Sequence, residues 1–328
     1  MSYHELRPKL SEIVSTYSST LLGFPNVEGI GFGLKVTEKK VTNTACIIFY
    51  VTRKVAKDKL EIKARIPSTF EGIPTDVSVG NFRAFALNER KNRLRPAKPG
   101  CSIAHYNVTA GTFGLLVKDR DTEQKLILSN NHILADDNNG IVGDPILQPG
   151  PADGGSFLDD AIATLYRYIP LKFEYMHGTR HGTVSVSTGK NIADCALAKP
   201  LDDNYVNEKI IDIGGHDGVA RPEVGMKVHK VGRTTGHTIE GTIKDVNALI
   251  PVGYGPDGVA AFKHAIVIES PIDEEGNYID FCAGGDSGSA ILNEDNKLVC
   301  LLFAGNDYGG TIANNMKTVL DCLNVDPL

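Results

Sequence analysis

The stretch Gly284-Gly285-Asp286-Ser287-Gly288-Ser289-Ala290 stands directly before an apolar run near the end of the chain. Glycines on both sides of Ser287 let the backbone turn its N–H groups toward one point and let a substrate carbonyl approach closely. We predict that the N–H groups of Gly285 and Ser287 form an oxyanion hole for the charge that develops when Ser287 attacks a carbonyl. The alternative is a plain glycine-rich turn, because Gly, Asp and Ser are common turn residues.

A nucleophilic serine needs a neutral imidazole to accept its proton, and a third group must hold that imidazole in the correct tautomer. Among nine histidines, His132 follows an apolar strand-like run that ends in Ser129-Asn130-Asn131. This position places the ring at the end of a strand, where the backbone supports it rigidly. The alternative is a structural histidine with satisfied hydrogen bonds.

Two aspartates are candidates for the third group. Asp194 heads the apolar run Cys195-Ala196-Leu197-Ala198, where an unpaired carboxylate would be costly. Asp160 precedes a similar run and is the rival. Only 28 residues separate Asp160 from His132, enough for a strand pair, whereas 62 separate His132 from Asp194, enough to complete a barrel. We therefore prefer Asp194.

The chain order His132, Asp194, Ser287 is that of the chymotrypsin arrangement and differs from those of subtilisins and α/β-hydrolases. Residues 101–320 resemble the trypsin-like (chymotrypsin-fold) serine peptidases, and the shorter disulfide-free bacterial members most closely. The motifs that carry this resemblance are Ser129-Asn130-Asn131-His132, Asp194-Cys195-Ala196-Leu197-Ala198, Gly285-Asp286-Ser287-Gly288-Ser289-Ala290 and Val231-Gly232-Arg233-Thr234-Thr235-Gly236. Ile133 and Ala283 replace disulfide cysteines that are usual in secreted members.

The resemblance implies a mainly β fold with two six-stranded antiparallel β-barrels and a catalytic triad in the cleft between them. His132 and Asp194 would come from the first barrel, and Ser287 with its oxyanion hole from the second. His132 would accept the Ser287 proton and later donate it to the leaving amine, while Asp194 orients the imidazole. Such a peptidase acts on a polypeptide substrate and needs neither a metal nor an organic cofactor.

The same resemblance implies a substrate pocket lined by Phe281, Phe303, Ala304, Gly305 and Thr311, with Asp307 and Tyr308 at its edge. Phe281 stands six residues before Ser287, where trypsins carry the acid that selects basic side chains. Cleavage after Lys or Arg by that route is therefore not expected, and a small or apolar side chain is favoured.

Residues 1–92 are predicted to form a small α+β extension ahead of this domain. Apolar residues recur with the helical period over residues 3–22, two β-rich runs at residues 27–36 and 42–51 suggest a hairpin, and residues 73–79 suggest a further strand. The extension could be inhibitory, present substrate or form a homo-oligomer.

Residues 93–328 are the predicted peptidase domain, with strand-like runs separated by Gly, Pro, Asn and Asp clusters. The candidate strands are residues 112–117, 125–128, 161–166, 183–186, 195–198, 227–231, 238–246, 265–269, 290–292 and 298–303. His177 and His181 have a spacing that could suggest a metal site, but the glycines beside them favour a loop.

The composition argues against nucleic-acid binding, membrane insertion and secretion. The chain of 328 residues has 34 basic and 40 acidic side chains, a net charge of −6 and a pI near 5.9, so it lacks the basic field that nucleic acid requires. Its apolar runs are too short to cross a membrane, and no signal peptide is visible. Six cysteines without a CxxC pair, several of them inside apolar runs, favour reduced thiols and a cytoplasmic location.

Three questions stay open at this level. The same triad would serve an esterase, and a catalytically silent binding module would have a triad that fails to assemble. Trypsin-like zymogens mature when a freed N-terminus pairs with the acid beside the nucleophile, here Asp286. Processing in the basic segment 93–102 is compatible with that route, although no residue pattern requires it.

Overall fold

The computed structural model describes residues 3–37, 40–52, 54–55, 60–80, 89–174, 189–273, 277–306 and 308–328. The candidate strand at residues 183–186, His177, His181 and Asp307 lie outside these ranges. The chain divides into two compact units, Met1–Ala86 and Leu87–Leu328, whereas the sequence placed the division between residues 92 and 93. In the described part of the chain, no helix has the length and apolar character needed to span a bilayer.

The first unit combines two helices with a four-stranded sheet. The elements are α1 (Tyr3–Thr16), α2 (Ser18–Leu22), β1 (Val27–Thr37), β2 (Lys40–Val51), β3 (Thr69–Phe70) and β4 (Ile73–Val79), and the strand order is β1-β2-β4-β3. The helical segment is divided because Tyr17 leaves the helical conformation, with φ −103° and ψ 14°. Apolar residues of α1 and of the sheet, including Leu10, Ile47 and Phe49, form the buried core of this unit.

The second unit contains two antiparallel sheets. One has eight strands, β5 (Ser102–His105), β6 (Gly111–Thr112), β7 (Leu115–Asp119), β8 (Lys125–Ser129), β9 (Pro145–Leu147), β10 (Ala161–Tyr168), β11 (Ala196–Pro200) and β18 (Val325–Pro327). The other is a closed six-stranded barrel of β12 (Lys227–Gly232), β13 (Gly236–Gly253), β14 (Val259–Glu269), β15 (Ala290–Asn293), β16 (Leu298–Gly305) and β17 (Gly310–Asn315). Two helices, α3 (Asn131–Leu134) and α4 (Met316–Leu323), complete the unit.

The eight-stranded sheet differs from the expected six-stranded first barrel. Its strand order is β18-β7-β8-β11-β10-β9-β5-β6, so β6 lies at one end while β7, which follows β6 directly in sequence, lies near the other. The two residues between them join the ends, because the Phe113 N–H donates to the Cys101 carbonyl and the Gly114 N–H donates to the Leu128 carbonyl. The sheet thus curls around its core through a bend in the chain instead of a continuous ladder.

Apolar residues from both sheets pack together between them. Leu115, Leu128 and Leu197 of the curled sheet belong to the same buried cluster as Leu292 and Leu301 of the closed barrel. Each Å² of buried apolar surface stabilises the fold by about 25 cal/mol, so a core shared by the two sheets strongly constrains their placement. The loops at their junction are therefore held in fixed positions.

Candidate active site

His132 and Asp194 meet at the edge of the curled sheet. His132 lies in α3, directly after β8, and Asp194 lies two residues before β11, the strand that pairs with β8. The Nδ1 atom of His132 is 2.6 Å from Oδ2 of Asp194, whose side chain is fully buried. With its proton on Nδ1, the imidazole donates to the carboxylate and leaves Nε2 unprotonated as a base.

Backbone and side-chain groups fix Asp194 in place. Its Oδ1 atom accepts hydrogen bonds from the N–H groups of Asn131, at 2.6 Å, and His132, at 3.3 Å. Its own N–H donates to Oδ1 of Asn314 at 2.9 Å. The rival Asp160 instead accepts a hydrogen bond from Arg93 at 2.8 Å. Asp194 is thus the carboxylate that the structure brings to His132.

Negative charge around His132 favours its protonated form. Burial opposes the imidazolium, but the charge and hydrogen bond of Asp194 and the charge of Asp137 outweigh it, so the pKa of His132 is raised above its usual value. Burial and the neighbouring carboxylates of Asp194, Asp257 and Asp136 raise the pKa of Asp137 to about 6. The base therefore titrates beside a second group whose charge also changes near neutral pH.

Ser287 lies in the nucleophile loop, residues 283–289, which leads into β15 of the closed barrel. Gly285 and Gly288 adopt φ values of +93° and +95°, a backbone conformation that residues other than glycine rarely adopt. The Ser287 hydroxyl donates to the Phe303 carbonyl at 3.3 Å, and no hydrogen bond joins it to His132 in the described structure. Catalytic hydrogen bonds are often long in unliganded enzymes and tighten when substrate binds.

The predicted oxyanion donors are unpaired. Within the described ranges, neither the Gly285 N–H nor the Ser287 N–H donates to any protein group, whereas the N–H groups of Asp286 and Gly288 both do. Two unpaired donors that flank one residue can bind a single oxygen atom of a ligand.

Thr112, at the end of β6, anchors the nucleophile loop to the curled sheet. Its N–H donates to the Ser287 carbonyl at 2.8 Å, and its hydroxyl donates to the Gly285 carbonyl at 2.9 Å. The same hydroxyl accepts from the Arg233 N–H at 3.0 Å, and the Arg233 guanidinium pairs with both carboxylate oxygens of Asp153 at 2.5 and 2.6 Å. The nucleophile loop is thus fastened to the same sheet that carries the histidine and the aspartate.

Asp286, next to the nucleophile, pairs with a buried lysine of β12. Its Oδ2 atom is 3.1 Å from Nζ of Lys230, and both side chains are fully buried. The carboxylate also accepts from the hydroxyl of Thr235 at 2.6 Å and from the N–H groups of Thr234 and Ala283 at 2.8 and 3.0 Å. Burial lowers the pKa of Lys230, and the charge of Asp286 opposes this shift. Asp286 thus has a buried cation as its partner within the same barrel.

A cavity of about 270 Å³ opens beside Ser287. Its lining residues are Asp280, Cys282, Ala283, Gly284, Ser287, Leu302, Ala304, Gly305 and Asn306. The small residues Gly284, Ala304 and Gly305 leave it open, and Asp280 is the ionisable acid on its wall. A cavity of this size next to the nucleophile can hold one side chain of a substrate.

Of the five pocket residues expected from the sequence, Ala304 and Gly305 line this cavity, and Phe281, Phe303 and Thr311 do not. The Phe281 side chain is fully buried in the core of the closed barrel, whereas its neighbours Asp280 and Cys282 line the cavity. Phe303 is buried as well, and its ring packs 4.5 Å from that of Phe262. Thr311 lies behind the wall, where its hydroxyl donates to the Cys282 sulfur at 2.9 Å.

Sequence reasoning missed three residues around the triad: Thr112, Lys230 and Tyr254. Lys230 carried no local signal, because β12 also contains the polar residues Lys227 and His229 and does not read as an apolar run. Tyr254, whose hydroxyl donates to Oδ2 of Asp194 at 2.9 Å, carried no such signal because it lies in a polar turn. Across the described residues, no cluster of three or more His, Cys, Asp and Glu side chains is arranged to hold a metal ion.

The second unit therefore places a curled sheet with a His–Asp pair beside a closed six-stranded barrel that carries the serine loop, and a helix follows the last barrel strand. This architecture resembles that of the chymotrypsin fold. The order of the three residues along the chain and the sheet that supplies each of them agree with it.

Comparison with solved structures finds similar folds at low sequence identity. Thermobifida fusca Protease A is 15% identical, with a TM-score of 0.46, over 71% of this chain and 99% of that one. The Nocardiopsis protease is 17% identical, with a TM-score of 0.46, over 70% of this chain and 99% of that one. A chymotrypsin of Cellulomonas bogoriensis is 17% identical, with a TM-score of 0.42, over 70% and 97% of the two chains. No protein-family model matches the sequence, and no curated protein matches it significantly.

Proposed function

We propose that this protein is a serine endopeptidase that hydrolyses peptide bonds through Ser287, His132 and Asp194. The observation that carries the proposal is the 2.6 Å hydrogen bond between His132 and the buried Asp194, in a fold whose nucleophile loop offers two unpaired N–H groups. A buried carboxylate that holds an imidazole in one tautomer is the arrangement that makes a serine hydroxyl nucleophilic.

The reaction follows from these groups. For catalysis the Ser287 hydroxyl would exchange its hydrogen bond to the Phe303 carbonyl for one to His132, whose Nε2 takes its proton as Oγ attacks the substrate carbonyl. The N–H groups of Gly285 and Ser287 stabilise the resulting oxyanion. His132 then gives the proton to the leaving amine, and an ester to Ser287 remains. Water, deprotonated by His132, attacks this ester and releases the acid and the serine hydroxyl.

We also propose that the intact chain is competent without processing at residues 93–102. A freed N-terminus would pair with Asp286, but Lys230 supplies the cation in the unprocessed chain. Because an intact chain that is competent is not inhibited by its N-terminal unit, we propose that this unit mediates assembly or presents substrate. A cytoplasmic location is proposed as well, supported by the buried thiols of Cys101, Cys195 and Cys300.

A catalytically silent binding module is the second candidate. It is favoured by one observation, the hydrogen bond of Ser287 to the Phe303 carbonyl in place of His132. An esterase would use the same acyl-transfer site as the peptidase.

Hydrolysis of matched peptide and ester substrates by the wild type and by the Ser287→Ala and His132→Ala variants separates these candidates. A peptidase cleaves the peptides, and both variants lose at least about 10³-fold in kcat. Ester turnover without peptide turnover would indicate the esterase. The proposal is wrong if the folded wild type cleaves neither substrate, or if Ser287→Ala retains full activity.

A further inference from the structure

We infer that Tyr254 is a positioning residue of this active site, whose hydroxyl holds the carboxylate of Asp194 in the orientation that directs His132. The inference rests on the proposed serine peptidase function and adds to it a residue from the closed barrel. Tyr254 Oη donates to Asp194 Oδ2 at 2.9 Å, and this is the same oxygen that lies 2.6 Å from His132 Nδ1.

The Tyr254 hydroxyl completes the hydrogen bonding of the carboxylate. Oδ1 of Asp194 accepts the N–H groups of Asn131 and His132, and Oδ2 accepts His132 Nδ1 and Tyr254 Oη. The first three donors belong to the segment that carries the histidine itself. Among the described residues, Tyr254 therefore provides the one donor to this carboxylate from outside that segment, and it opposes rotation that would turn Oδ2 away from the imidazole.

Tyr254 reaches Asp194 from the end of the long β13–β14 hairpin. β13 has 18 residues, and Tyr254 directly follows it at the hairpin end. The turn is closed by a hydrogen bond from the Tyr254 N–H to the Gly258 carbonyl at 2.9 Å. This extension carries the hydroxyl from the closed barrel to an aspartate that belongs to the curled sheet.

Contacts on both sides hold the hairpin end in this position. Glu174 and Val259 exchange two backbone hydrogen bonds, of 2.8 and 3.2 Å, so the segment that follows β10 pairs with the start of β14. The Asn191 N–H donates to the Ala261 carbonyl at 3.1 Å, three residues before Asp194. The position of the tyrosine is thus fixed by the backbone that also leads to the aspartate.

Aromatic packing fixes the ring as well as the backbone. The Tyr254 ring makes edge contacts with His132 and Phe173, at centroid distances of 5.9 and 5.5 Å. Burial, the charge of Asp194 and the hydrogen bond to it raise the pKa of Tyr254 well above its usual value, so the hydroxyl keeps its proton. The tyrosine therefore acts as a permanent donor across the pH range in which His132 titrates.

The consequence for catalysis has two parts. Loss of the hydroxyl frees the carboxylate to rotate, which lowers the fraction of correctly oriented imidazole and reduces kcat more than it affects KM. The hydroxyl also partly neutralises the negative charge on Oδ2 of Asp194. Without it, that oxygen attracts the imidazolium of His132 more strongly and raises the pKa of His132. The ionisable groups that act on His132 and Tyr254 are Asp194 and Asp137, with Asp257 and Asp136 acting on Asp137, and none of these is changed by replacing the tyrosine.

The test compares Tyr254→Phe with a matched Tyr166→Phe control, since Tyr166 lies half-buried on β10 and its hydroxyl makes no hydrogen bond in the described structure. We expect Tyr254→Phe to lower kcat by about 10-fold or more, with KM within about twofold, and to move the acid limb of the kcat/KM profile to higher pH. The control should retain wild-type values. Thermal melting of both variants checks that each is folded.

A double variant distinguishes an effect that acts through Asp194 from a general disturbance of the active-site structure. If Tyr254 acts by positioning that carboxylate, Asp194→Asn/Tyr254→Phe should be no slower than Asp194→Asn alone. The inference is overturned if Tyr254→Phe keeps wild-type kcat and an unmoved acid limb, or if the two losses multiply. A wild type that cleaves no substrate would overturn the proposed function itself, and this result is distinguishable because it precedes any comparison of variants.

Discussion

Replacement of Lys230 by methionine tests whether the internal cation supports the nucleophile loop. The substitution keeps most of the side-chain volume and removes the ammonium group 3.1 Å from Asp286 Oδ2. Removal of one member of a buried ion pair costs about 3 to 5 kcal/mol, because the other charge is left without its partner. Asp286 retains its hydrogen bonds to Thr234, Thr235 and Ala283, so we expect the lower value, about 3 kcal/mol.

Chemical unfolding measured by far-UV circular dichroism gives this free energy, since the chain has no tryptophan for fluorescence. A double-mutant cycle with Asp286→Asn cancels any contribution of the N-terminal unit, because that unit is the same in all four proteins. The double variant should recover part of the loss, since the unpaired charge is gone.

Lys227→Met is the matched control, because Lys227 lies on the same strand with its side chain exposed and should change stability by less than about 0.5 kcal/mol. A loss below about 1 kcal/mol in Lys230→Met, together with additivity in the cycle, would refute the reasoning. The kcat/KM of Lys230→Met should also fall, because the Asp286 carboxylate accepts hydrogen bonds that order the nucleophile loop.

Two further predictions concern charge near the site. His132 acts in its neutral form and the charge of Asp137 raises its pKa, so Asp137→Asn should move the acid limb of kcat/KM to lower pH, whereas Asp136→Asn should leave it nearly in place. A limb that stays fixed or moves upward in Asp137→Asn, measured by initial rates over pH 5 to 9, contradicts this assignment. Asp280 lines the cavity beside Ser287, so Asp280→Asn should lower the ratio of cleavage after Lys to cleavage after Glu by about five- to tenfold, whichever side chain is cleaved best. An unchanged ratio in competition assays would contradict an effect of Asp280 on the choice of substrate side chain.

The three proposed catalytic residues could be named from the sequence because each lies beside a strand in a short motif. His132 follows β8, Asp194 precedes β11 and Ser287 precedes β15, so local patterns fix their positions. The roles of Lys230 and Tyr254 were not predicted, because their partners lie 56 and 60 residues away and neither residue stands in a recognisable local motif. Phe281 was misplaced because counting back from Ser287 locates a residue along the chain but does not say which way its side chain points.

The strands could be predicted where an apolar or β-branched run of five or more residues stands out, and less well where elements are shorter. The runs that became β7, β8, β10, β12 and β16 carry clear β patterns, whereas β6 has two residues and β9 has three. Helix α4 has eight residues, about two turns, which is too short for a helical period to stand out. The curled eight-stranded sheet depends on such short elements, so its strand number differs from expectation.

Fluorophosphonate labelling of the intact, unprocessed chain is the most direct test of the central claim that Ser287 is activated by the His132–Asp194 pair. Mass mapping after proteolysis locates the adduct, and Ser287→Ala and His132→Ala report whether labelling needs both residues. The account predicts one adduct per folded chain, on Ser287, absent from Ser287→Ala and greatly slowed in His132→Ala. An unlabelled Ser287 in the folded wild type, or equal labelling of His132→Ala, would contradict it.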